Sequence, residues 1–84
     1  MSYNIQLSNE ARKSFRKLPQ RIKNKVNNQI FLLAVNPLLG EPLSGKFKGA
    51  YKIYVWPYRI LYRVYHKELC ILIMRIRHRQ SSYK

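Results

Sequence analysis

The chain has 84 residues, 46% of them hydrophobic, with 17 Lys and Arg against 3 Asp and Glu and a formal net charge of +14. That length argues against a multidomain protein and is read as one small domain spanning residues 1–84, with a core giving modest stability. The charge exceeds what solubility requires and costs self-repulsion, so it calls for a polyanionic partner, nucleic acid first. The apolar runs are too short to span a bilayer.

Tyr3, Ile5 and Leu7 alternate with Asn4 and Gln6, the pattern of a short half-buried strand. Ser8 is placed as an N-cap with Glu10 in the first turn of a helix. Ala11, Phe15 and Leu18, at i, i+4 and i+7, form its apolar stripe, and the helix runs to about Leu18. Pro19 can open a second helix, in which Ile22, Val26, Ile30, Leu33 and Ala34 face inward. Asn36-Pro37 ends it, because the residue before proline is biased out of the helical region. Leu38 to Lys48 reads as a loop. Strand-like runs follow at Tyr51 to Trp56, Tyr58 to Tyr65 and Leu69 to Arg79. Their short connections favour an antiparallel meander. The expected class is therefore α+β: an N-terminal strand, a helical hairpin and a three-stranded antiparallel meander, with the helices on one face of the sheet.

Strict alternation assigns Tyr51, Ile53, Val55, Ile60, Tyr62, Val64, Cys70, Leu72, Met74 and Ile76 to the face under the helices. The opposite face then takes Lys52, Tyr54, Trp56, Arg59, Leu61, Arg63 and Tyr65, together with Leu69, Ile71, Ile73, Arg75, Arg77 and Arg79. Arg clamps phosphate through planar bidentate hydrogen bonds, and three arginines spaced by two on one strand form a phosphate-binding edge. Tyr54 and Trp56 can stack on an unpaired base, or pair across strands on a solvated sheet face. Leu61, Ile71 and Ile73 on this face would form an exposed apolar patch of the kind that marks a protein partner.

Arg12, Lys13, Arg16, Lys17, Arg21, Lys23 and Lys25 on the helical hairpin, with Lys46 and Lys48 in the loop, read either as sequence-independent contacts to nucleic-acid phosphates, or as a solvated outer surface. Cys70, His66, His78 and the scattered Glu10, Glu41 and Glu68 do not resemble a set of metal ligands. No cofactor is expected, and a single cysteine cannot make an internal disulfide. No signal peptide is visible, so a cytoplasmic location is expected.

Three segments in order carry a resemblance: Leu43-Ser-Gly-Lys-Phe-Lys-Gly-Ala-Tyr-Lys-Ile, Tyr58-Arg-Ile-Leu-Tyr-Arg-Val64, and His78-Arg-Gln-Ser-Ser-Tyr83, the last similar to an H-R-x-x-x-Y ending. Across essentially its whole length the chain resembles the RelE/ParE superfamily of toxins from type II toxin-antitoxin systems. RelE-like members cleave messenger RNA in the ribosomal A site. ParE-like members poison DNA gyrase and lack the basic and tyrosyl catalytic set. Lys52, Arg59, Arg79 and Tyr83 occupy positions that look like that set, with Tyr54, Arg77 and His78 as accessory candidates. Tyr54 stands where RelE has a second lysine, and no glutamate matches the base of some ribosome-dependent relatives.

The resemblance implies a metal-independent endoribonuclease that uses the RNA's own 2′-hydroxyl, with Arg59 and Arg79 on the phosphate and Lys52 or Tyr83 taking a proton. Parity turns His78 away from Arg79, leaving it either an acid or a structural residue. Tyr83 is either a functional tail or a frayed end. The implied partners are the ribosome, its message and a small acidic antitoxin, with the free toxin monomeric and no membrane involved. The competing functions are a ParE-like gyrase inhibitor and a non-catalytic RNA- or ribosome-binding protein.

Overall fold

The computed structural model describes residues 2–80. The elements run β1 (Asn4–Leu7), α1 (Asn9–Arg16), α2 (Gln20–Val35), β2 (Glu41–Pro42), a 3-10 turn (Gly45–Phe47), β3 (Ala50–Val55), β4 (Tyr58–Tyr65) and β5 (Cys70–His78). The protein is α+β, with both helices on one face of a five-stranded sheet of order β1-β5-β4-β3-β2. The antiparallel meander is present, and β1 joins it by pairing parallel to β5. The two-residue β2, paired to β3 through Glu41 and Lys52, is an addition to the expected elements. It is too short to show an alternating pattern.

Local chemistry accounts for the hairpin. The Ser8 hydroxyl accepts from the Ala11 N–H at 3.0 Å, capping α1. Pro19 is the N-cap of α2, just before the first helical residue, and Asn36 is its C-cap. Ala11, Leu18, Ile22, Val26 and Leu33 form the helical half of the core, against Val55, Ile60, Tyr62, Ile71, Ile73 and Ile76 of the sheet.

Strict alternation fails in β5. Leu61 pairs with Arg75, yet the next residue of β4, Tyr62, pairs with Ile73, so Met74 is an extra residue on the β5 side. Such a β-bulge exchanges the faces of everything beyond it. Ile71 and Ile73 therefore lie in the core with Ile76, whereas Cys70 and Leu72 share a face with Tyr65 and Arg63. The expected apolar patch does not exist: Leu61, Ile71 and Ile73 are all fully buried. Ser8 binds at the bulge, its hydroxyl donating to the Met74 carbonyl at 2.6 Å and its N–H to the Ile73 carbonyl at 2.9 Å.

Tyr62 ties the loop after α2 to the core. Its hydroxyl donates to the Pro37 carbonyl and accepts from the Gly40 N–H, each at 2.9 Å. A Cβ on residue 40 would sit 2.6 Å from the Lys52 carbonyl oxygen and 2.7 Å from that hydroxyl, so glycine is required there. Tyr62→Phe should cost about 1–3 kcal/mol, because it strands the two loop groups. Burial raises the Tyr62 phenol above its ordinary value of 10.0, outweighing the Gly40 hydrogen bond, which lowers it. The neutral phenol is the folded form, so its contribution to stability is full below the ordinary value and is lost as pH rises through the folded one. Urea unfolding at neutral pH and above pH ~10 should show the loss in Tyr62→Phe at neutrality and a shallower alkaline decline than in the wild type.

Candidate nucleic-acid site on the cationic sheet face

Cross-strand register builds the site in rows on the face away from the helices. One row is Lys52, Leu61 and Arg75; the next is Tyr54, Arg59 and Arg77. Where β3 and β4 turn, a cleft of about 430 Å³ is lined by Tyr54, Trp56, Arg59 and Arg79. Arg79 is fixed there in three ways: its N–H donates to the Pro57 carbonyl at 2.7 Å, its own carbonyl accepts from the Arg59 guanidinium, and its guanidinium lies 4.9 Å from the Trp56 ring centre. Lys52 Nζ lies 5.6 Å from the centre of the Tyr54 ring. The two aromatics thus carry cations on a largely solvent-facing surface, with Trp56 64% exposed. Cation–π contact orients such groups without neutralising them.

Of the candidates drawn from the sequence, Lys52, Tyr54, Arg59, Arg77 and Arg79 come together on this face. His78 does not. It pairs with Tyr58, whose ring meets it edge-on at 5.3 Å on the core side, and its Nδ1 accepts from the Gln80 N–H. Tyr83 lies outside the described residues. Arg12, Lys13, Arg16, Lys17 and Arg21 are exposed on the helical hairpin, Lys25 is exposed and shares a groove with Trp56, and Lys23 lies 5.8 Å from the Phe15 ring centre. Lys46 and Arg75 both approach the Phe47 ring, at 5.9 and 5.7 Å from its centre, which links the 3-10 turn to the cationic face. The Lys48 carbonyl accepts a long bond from Arg63 at 3.4 Å.

Glu10 is part of the site although its sequence position signalled only a helix start. Its Oε2 accepts from Arg77 at 3.1 Å and lies 3.7 Å from Arg75. Exposed aliphatic and phenyl side chains lie on and just after α2, at Phe31, Leu32, Val35, Leu38 and Leu39, while the sheet exposes the aromatics Tyr54, Trp56 and Tyr65. Beside α2, Lys25, Asn28, Gln29, Leu32, Val55 and Trp56 line a groove of about 320 Å³ that shares Trp56 with the cleft. Among the described residues, no three His, Cys, Asp or Glu side chains gather as metal ligands, and no helix is long and apolar enough to cross a membrane.

Residues 5–83 match a family model described as the ParE toxin of the type II toxin-antitoxin system parDE. The chain belongs to the RelE/ParE superfamily of type II toxins. Toxin RelG of Mycobacterium tuberculosis is a relative from this superfamily, 33% identical over 86 residues that cover 100% of this chain and 99% of the relative. Among solved structures, the M. tuberculosis toxin-antitoxin complex RelBE2 contains a chain that superposes with a TM-score of 0.86 at 31% identity, covering 93% of this chain and 99% of that one. The isolated Escherichia coli RelE toxin shares the superfamily fold with a TM-score of 0.83 at 18% identity, over 96% of this chain and 88% of that one.

Proposed function

We propose that this toxin is an endoribonuclease that cuts messenger RNA in the ribosomal A site and so stops translation. The observation that carries the reading is the convergence of Arg59 and Arg79 on one cleft with Tyr54 and Trp56, with Lys52 in the adjoining row. Two guanidiniums and two aromatic rings suit a phosphodiester between unpaired bases. RNA carries its own nucleophile. Attack of the 2′-oxygen on phosphorus expels the 5′-oxygen, leaving a cyclic phosphate and a 5′-hydroxyl.

The protein's tasks are to align the attack, stabilise the growing negative charge and manage two protons. Arg59 and Arg79 serve the phosphate. Lys52 or Tyr83 accepts the 2′-proton. Such weak acid/base groups suit a catalyst that borrows orientation from the ribosome. The cations of the helical hairpin, with Lys46 and Lys48, add salt-sensitive attraction to ribosomal RNA.

The proposed antitoxin is a small acidic protein. A net charge of +14 and the apolar end of α2 together favour an acidic amphipathic segment, and the groove that meets the cleft at Trp56 gives it a route to cover Arg79. The free toxin is proposed to be monomeric, since like charge opposes self-association.

Cleavage-end mapping of a defined message on programmed ribosomes, with wild type, Arg79→Ala and a ribosome-free control, tests the reading. Codon-phased cuts that vanish in the variant are expected, with little cutting of naked RNA. Equal cutting of naked RNA would overturn ribosome dependence. An intact message together with gyrase-trapped DNA breaks would favour the ParE-like activity that the matching family model raises.

A further inference from the structure

Glu10 is one of 3 acidic residues in the chain, and its carboxylate contacts Arg75 and Arg77 of the cationic face. α1 covers the opposite side of the sheet, so the contact must pass round an edge. β1 provides that passage by stopping at Leu7, opposite Ile73, while β5 continues to His78. Along the uncovered stretch Ser8 binds the Ile73 and Met74 carbonyls, which brings the first turn of α1 against β5. Glu10 Oε2 then accepts from both Nη2 and Nε of Arg77, at 3.1 and 3.3 Å.

Arg77 is the direct cross-strand partner of Arg59. Like charges directly opposite repel, and a guanidinium serves phosphate only when its planar fork is correctly aimed. A carboxylate engaging one edge of Arg77 from outside the sheet fixes the plane of that fork and offsets part of the repulsion. We infer that Glu10 is a positioning residue: by holding Arg77 beside Arg59 it sets the geometry of the phosphate-binding face and limits that face's charge. The inference rests on the ribonuclease reading for its catalytic consequence.

Glu10→Gln keeps the shape of a half-exposed side chain and removes its charge. On programmed ribosomes it should lower kcat roughly tenfold through misalignment. It should also tighten binding of a short unstructured RNA at low salt and steepen the log affinity against log salt slope by about 0.7. Glu10→Asp restores the charge but is shorter, so the salt slope should return while kcat does not.

In an Arg77→Ala background, Glu10→Gln should leave kcat unchanged, because the two residues act through one interaction. The Arg77 Nε–H resonance of the ¹⁵N-labelled protein should move and exchange faster with water in Glu10→Gln. An equal kcat loss in both backgrounds, an unchanged kcat with the resonance moved, or an unmoved resonance would each overturn the proposal. If the wild type makes no cuts, the ribonuclease reading and Glu10's catalytic consequence fall together, whereas the resonance still decides whether Glu10 holds Arg77.

Discussion

Arg59→Ala is expected to lower single-turnover cleavage on programmed ribosomes by about 10²–10³-fold, the usual loss on removing one preorganised transition-state donor. Arg59 lines the cleft and donates to the backbone carbonyl of Arg79, whose N–H is bound to the Pro57 carbonyl, so it fixes the end of β5 against that turn; in the proposed mechanism it also serves the scissile phosphate. Its loss therefore removes one cation and loosens the seat of another. The double variant with Arg79→Ala should consequently be no worse than the sum of the single losses and markedly better than additive.

Arg59→Lys keeps the charge but not the fork, and should recover only a small part of the rate. Ribosome affinity, measured by co-sedimentation, should change little, because the many cations elsewhere dominate it. Rate and affinity falling by the same factor would make Arg59 a binding residue and support the non-catalytic alternative.

The largest expected effect on stability comes from Ile73→Ala. Ile73 is fully buried in the core, and removing its side chain should cost about 2–4 kcal/mol through lost burial and the cavity left behind. The same change at Leu72, half-buried on the other face, should cost less than about 1 kcal/mol, with urea midpoints at neutral pH giving the comparison. The reverse order would contradict the bulge at Met74.

This pair also marks a limit on what the sequence could reveal. In β4, Tyr58–Tyr65, Arg59 and Arg63 fall on one parity and Ile60, Tyr62 and Val64 on the other, and both the boundaries and the placing of Arg59 were legible. From Leu69 to Met74 every residue is apolar, so no period reveals which side chains face the helices or where an extra residue interrupts the pairing. Beyond the bulge the two-residue spacing again holds for Arg75 and Arg77. Lys52, Arg59 and Arg79 were thus placed on one face correctly, whereas Ile71 and Ile73 were placed on the wrong one. Glu10 was missed for a different reason: its partners lie 65 and 67 positions along the chain, a relation created by the parallel docking of β1, with no local pattern to announce it.

That docking also governs when the cationic face is complete. Among the described residues β1 precedes every other element and its partner β5 follows them, so their pairing spans nearly the whole described fold. Arg75, Arg77 and Arg79 arrive with β5 or just after it, so a growing chain that stops at β4 has an incomplete cationic face and an unpaired first strand. Sequence-distant pairing of this kind forms late and slowly compared with local helix closure. The cationic face is therefore expected to be the last part of the fold to assemble, after the helical hairpin has closed.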